Sequence, residues 1–167
     1  MNGPGTPSHG SKQFERPMSN PLKYLTAASI IYLFSAALGT WVAFNHNLTA
    51  NFGGFLNGQN VIRDFLTLNG TALSPPLPLM LLQLVFTLLT VRSTLHRRAG
   101  VIGLTAIGAV YTIGQLGEPI VLRLIRPSSF DFVQAAILVM SLAASVTIFI
   151  VGAQVWRAYK PSKGTAG

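Results

Sequence analysis

YLTAASIIYLFSAALGTWVAF, residues Tyr24 to Phe44, runs for twenty-one positions without one charged side chain. At about 1.5 Å per helical residue it covers about 30 Å, the thickness of the hydrocarbon core of a bilayer. Asn20 and Pro21 before it read as a helix start, a capping side chain followed by a proline where no amide partner is required. No small-residue cleavage site ends the run before Trp41 and Phe44, so it reads as a retained anchor rather than a cleaved leader.

Three further stretches repeat the pattern. The second runs from about Ala72 through Pro75, Pro76 and Pro78 to Val91, with the prolines near its first turn, and stops at Arg92. The third, rich in glycine and alanine, extends from Gly100 to Glu118-Pro119. The fourth starts at Ser128-Ser129-Phe130-Asp131, which fits a capping box, and continues to Trp156. These runs predict an all-α, integral membrane four-helix transmembrane bundle with spans at about 22–45, 72–91, 100–118 and 129–156. Residues 1–21 and 160–167 read as disordered cytoplasmic tails, because they carry scattered charge and no apolar period.

Composition agrees. Half of the 167 residues are hydrophobic and 10% are charged, against about 25% charged in an average soluble protein, and mean hydropathy is +0.49. A water-facing surface cannot be built from so few charges. The absence of cysteine excludes disulfides, thiolate metal sites and cysteine nucleophiles.

The charges orient the bundle. With the N-terminus inside, Lys12, Arg16, Lys23, Arg92, Arg97, Arg98, Arg157, Lys160 and Lys163 lie in inner segments, and Arg63, Arg123 and Arg126 outside. Of the acids only Glu15 is inner; Asp64, Glu118 and Asp131 are outer. Inner segments then carry +8 and outer segments zero, which places both termini in the cytoplasm, in the plasma (inner) membrane. The basic balance is therefore a topology signal and does not indicate a nucleic-acid partner. Trp41, Trp156, Tyr24 and Tyr159 fall near span ends, as interfacial aromatics do.

The outer segment from Asn45 to Thr71 is long for a connector. Its Phe52, Phe55, Leu56, Ile62, Phe65 and Leu66 recur near helical spacing, which fits either an amphipathic outer loop lying on the membrane or a loop packed on its own helix ends. Asn47-Leu48-Thr49 and Asn69-Gly70-Thr71 match the glycosylation sequon. Ile120 to Arg126 reads as a short interfacial turn of helix before Pro127 or as a solvated loop.

Polar side chains inside spans point to candidate sites. Tyr111, Gln115 and Glu118 share one helical face, as do Asp131, Gln134, Ser141 and Ser145 on the fourth span; Gln83, Thr87 and Thr90 on the second; and Tyr32 and Ser35 on the first. Depth along the spans suggests an outward-facing ligand-binding pocket lined by Gln83, Tyr111, Gln115, Glu118, Asp131 and Gln134, closed by Trp41 and His46. Glu118 and Asp131 are the candidate catalytic carboxylates. The same residues also fit a simpler role as hydrogen-bonding ties between helices, and Asp131 as part of a helix cap. Ala99 and Gly103, Thr105 and Ala109, Gly108 and Thr112, and Ser141 and Ser145 are small residues four apart that let spans three and four approach closely, within the monomer or toward a membrane protein partner or second copy.

The inventory excludes several chemistries. His9, His46 and His96 do not share a depth, as a bis-histidine haem requires; there is no HExxH zinc pair and no acid in mid-span for proton-coupled export. No cofactor or metal is expected. In topology alone, four spans, both ends inside and a longer first outer loop, the chain resembles small four-helix bacterial proteins of the DoxX-like kind and the emopamil-binding type of sterol isomerase. Three functions remain: an accessory subunit or binder of a lipid-like hydrophobic molecule; a membrane enzyme performing isomerase-type acid-base chemistry on a lipid or isoprenoid with Glu118 and Asp131; and an oligomeric small transporter.

Overall fold

The computed structural model describes residues 19–52, 56–92, 94–124 and 130–159. Along the chain run α1 (Ser19–His46), β1 (Asn51–Phe52), β2 (Leu56–Asn57), α2 (Val61–Leu66), α3 (Leu77–Arg92), α4 (Thr94–Leu116), α5 (Pro119–Leu124) and α6 (Phe132–Ala158). Among the described residues, apart from the two-residue antiparallel ladder of β1 and β2 and an isolated bridge between Thr49 and Thr71, the regular structure is helical. Of the expected tails, 1–21 and 160–167, residues 19–21 belong to α1; residues 1–18 and 160–167, together with Phe55 and Ser128-Ser129, lie outside the described residues.

Segments 20–46, 96–116 and 132–158 are each long and apolar enough to cross a membrane. Their outward faces carry Ile30, Phe34, Val110, Val139 and Phe149, all exposed, as lipid-facing surfaces require. The protein is an integral membrane protein with a helical membrane domain.

Three helix starts differ from the sequence expectation. The second apolar run does not become helix at Ala72; α3 begins at Leu77 and has 16 residues, about 24 Å. Pro75 and Pro76 hold the residue before each of them out of helical geometry. Thr71 instead folds residues 71–74 into a side-chain-bonded turn. Its backbone N–H donates to the Ser74 carbonyl at 2.9 Å, and its Oγ1 accepts from the Ser74 N–H at 3.0 Å. The fourth helix starts at Phe132 rather than Ser128, because Asp131 is itself the N-cap, accepting from the Gln134 N–H at 3.0 Å. In the opposite sense α4 begins at Thr94, six residues before Gly100.

Around the bundle α1 packs on α6, α6 on α4, α4 on α3 and α3 back on α1, with Leu25, Tyr32, Val101, Leu104 and Ile148 in the core. Small residues set the spacing. A side chain at Gly100 would strike the Phe86 carbonyl and the Thr90 amide at 2.8 Å, and one at Gly103 the Phe86 ring at 2.5 Å, so these glycines bring α4 against α3. Gly108 meets Ile148 and Phe149, and Gly152 meets Thr105, at the α4–α6 contact. Of the small residues expected to bring the third and fourth apolar runs together, Gly103 thus faces α3 instead.

Hydroxyls tie the seams. Ser29 and Thr87 share a 2.7 Å bond between α1 and α3, and the Thr112 hydroxyl donates to Ser145 Oγ at 3.2 Å between α4 and α6. These contacts make neighbouring helices antiparallel. Lys23, Arg92, Arg97, Arg98 and Arg157 therefore gather at one end of the bundle, and Asp64, Glu118 and Asp131 at the other.

Candidate functional site

Because α3 starts late, the acidic end of the bundle lacks a full helix between α1 and α4, and the 68–76 loop takes its place. The loop sits close on α1 because Gly39 has no side chain: a Cβ there would lie 2.5 Å from the Leu73 carbonyl oxygen. A shared 2.8 Å bond joins Thr40 to Ser74. Under the loop remains a cavity of about 370 Å³ between Tyr32 of α1, Leu79 of α3, Leu138 of α6 and the half of α4 nearer the acidic end, within the size range of small-molecule sites. Exposed Leu68, Val110 and Ile113 line it as well, so it reaches the lipid-facing surface.

Its walls are mostly apolar and its polar groups few. Tyr111, 4% exposed, stacks on Tyr32 with ring centroids 4.5 Å apart, and its hydroxyl has no hydrogen-bond partner. Gln115 donates through Nε2 to the Tyr32 hydroxyl at 3.1 Å, leaving its buried Oε1 without a partner. Native structures rarely leave such groups unmatched, and here both belong to residues that line one cavity. Glu118 lies at the cavity's edge, half-buried, its Oε2 accepting from the Asn51 N–H at 3.2 Å. Burial pushes its carboxyl above the ordinary glutamate range, a rise the Asn51 bond partly offsets.

Of the eight expected site residues, Tyr111, Gln115 and Glu118 line this cavity and five do not. Gln83 is fully buried in the α1–α3 seam, donating to the Ser29 carbonyl and hydroxyl at 3.1 and 2.9 Å. Asp131 caps α6 and accepts from Gln134 Nε2 at 3.2 Å, so these two satisfy each other. Trp41 is 68% exposed on the outer face of α1, and His46 is exposed at its end. Helical phase separates the groups: equal depth does not place side chains in one seam.

The expected pocket lining left out Tyr32, noted only as a polar residue of the first span, and the 71–76 turn. A mid-span tyrosine and a Thr-x-x-Ser-Pro-Pro string were the available signals. The sequence reading also treated Asp64 only as an outer charge, yet Asp64 is 1% exposed and organises the loop. Its carboxylate accepts from the Asn60 N–H at 3.1 Å and from Asn69 Nδ2 at 3.4 Å, while Asn60 caps α2. The amphipathic segment expected in this loop is a hairpin followed by α2, with Val61 and Asp64 turned in and Ile62 and Leu66 exposed. Phe65 closes edge-on against Phe44, centroids 5.5 Å apart.

Among the described residues no group of three or more His, Asp or Glu side chains could hold a metal ion. No protein-family model matches the chain, and no curated protein or solved structure is significantly similar to it.

Proposed function

We propose that the protein is a four-span membrane binder of a lipid-like small molecule, held head-first in the cavity beneath the 68–76 loop. The fourth crossing is α3 extended by residues 69–76; irregular backbone at membrane depth is tolerated where it is buried and its polar groups are matched, as the Thr71–Ser74 turn is. Both termini are cytoplasmic, because the basic end of the bundle carries them.

The observation that carries the reading is the pair of unmatched polar atoms, Tyr111 Oη and Gln115 Oε1, in an otherwise apolar cavity that reaches lipid. A tyrosine hydroxyl offers a proton and an amide oxygen accepts one, so a ligand hydroxyl answers both. The reading thus favours a neutral alcohol with an apolar body over a fatty carboxylate, which has no proton to donate and would meet Glu118. The two-carboxylate enzyme has less support, since Asp131 is engaged in capping α6.

Purification in mild detergent followed by native mass spectrometry tests the reading. A copurifying neutral lipid is expected, with occupancy lowered at least fivefold by Gln115→Leu. A stoichiometric protein partner and an empty cavity would point instead to an accessory subunit. For topology, the cysteine-free chain permits single replacements: Arg63→Cys, at a 67% exposed position, is expected to react with an impermeant thiol reagent from outside intact cells, and Arg98→Cys only after lysis.

A further inference from the structure

Two further buried polar atoms have no partner among the described residues, Gln83 Oε1 in the α1–α3 seam and Arg97 Nε at the opposite, basic end. A cleft of about 110 Å³ opens there between Pro21 and Leu22 of α1, Arg97 in the first turns of α4, and Gln154, Val155, Ala158 and Tyr159 at the end of α6. The Nε of Arg97 is buried in this region and has no hydrogen-bond partner. A guanidinium N–H removed from water requires an acceptor. No described carboxylate can supply one, because Asp64, Glu118 and Asp131 all belong to the other end of the bundle.

We propose that this cleft is a binding site for the phosphate of an anionic phospholipid. Nε–H and a neighbouring Nη–H form a planar fork that meets two phosphate oxygens at once, a geometry a lysine does not offer. Gln154 and Tyr159 line the same cleft and carry an amide and a hydroxyl for further polar contacts, while Pro21, Leu22, Val155 and Ala158 give an apolar wall for the glycerol and first acyl carbons. Lys23, Arg98 and Arg157 are exposed at the same end and add positive charge around it, which favours an anionic over a zwitterionic lipid. The site sits where the apolar segments 20–46, 96–116 and 132–158 end, at headgroup level, so the phosphate comes from a lipid rather than from solution. None of this depends on what occupies the Tyr111 cavity.

The test is thermal unfolding of the full chain, delipidated in detergent and titrated with dioleoyl phosphatidylglycerol, dioleoyl phosphatidylcholine or inorganic phosphate. Phosphatidylglycerol is expected to raise the midpoint saturably and the other two, at equal concentration, to leave it unchanged. Arg97→Gln is expected to shift half-saturation at least tenfold, and Arg98→Gln, which removes an equal charge from an exposed neighbour, less than twofold. Equal shifts from both variants would overturn the site in favour of diffuse attraction. An equal response to phosphatidylcholine or to free phosphate would overturn the lipid assignment. Should Arg97→Gln fail to fold, Gln154→Leu takes its place: a shift of threefold or more supports the site, and no shift overturns it.

Discussion

The rings of Tyr32 on α1 and Tyr111 on α4 lie 4.5 Å apart and within 8° of parallel, joining two helices that face each other across the bundle. The Tyr32 hydroxyl is matched by Gln115, whereas the Tyr111 hydroxyl is buried without a partner. Removing that hydroxyl separates packing from recognition. Tyr111→Phe is expected to leave the ligand-free protein as stable as before or about 1 kcal/mol more so, while weakening ligand binding about tenfold. Tyr111→Ala removes the ring as well and is expected to cost about 3–5 kcal/mol. Thermal unfolding and ligand titration of both variants check this.

Gly39 is the contact on which the loop rests. Gly39→Val forces a side chain into the Leu73 carbonyl, and overpacking of this kind costs about 1–3 kcal/mol. Faster hydrogen exchange confined to residues 70–76 is the expected result, with α4 and α6 unchanged.

Asp64 supports the same region from outside. Asp64→Ala leaves the Asn60 N–H and the Asn69 amide without their acceptor and is expected to cost about 1–3 kcal/mol. Arg63 contributes little to this, since its guanidinium is 67% exposed and reaches Asp64 only at 4.0 Å, and a pair whose cation stays in water is worth about 0–1 kcal/mol. Arg63→Ala is therefore expected to be close to neutral in the same thermal assay.

Glu118 makes stability depend on pH. Its carboxyl titrates above the ordinary glutamate range in the folded protein because it is half-buried. A raised folded-state pKa contributes stability that is fully present below the unfolded-state value and is lost as pH rises through the folded-state value. Thermal midpoints measured across that window are expected to fall with rising pH. Glu118→Gln, which still accepts from the Asn51 N–H, is expected to flatten the slope.

What the sequence made legible, and what it did not, divides along one physical line. Apolar runs such as Tyr24 to Phe44 announce long helices, because hydrocarbon admits no charge and leaves backbone groups no partner but each other. The face on which Tyr111, Gln115 and Glu118 meet follows from helical period alone. Where a helix begins is a contest between local bonds: Pro75 and Pro76 fit a first turn as well as a preceding loop, and Thr71 decides it by capturing Ser74. Which seam a residue enters is a tertiary matter. Gln83 and Gln115 are the same residue type inside neighbouring helices, yet one meets Ser29 and the other Tyr32, because helix rotation is set by Gly100, Gly103 and Gly108 against their partners.

The central claim, that the cavity beside Tyr111 holds a lipid-like molecule, is tested most directly by filling it. Gly114 lines the cavity, and a Cβ built there meets no atom within 4 Å, so a side chain can start there without a clash and Gly114→Phe is expected to fill the space. Native mass spectrometry of the two purified proteins is the measurement. Loss of the copurifying lipid from Gly114→Phe, at a thermal midpoint equal to or above that of the lipid-free parent, is the predicted result. A Gly114→Phe protein that retains the same lipid at the same occupancy would contradict the account.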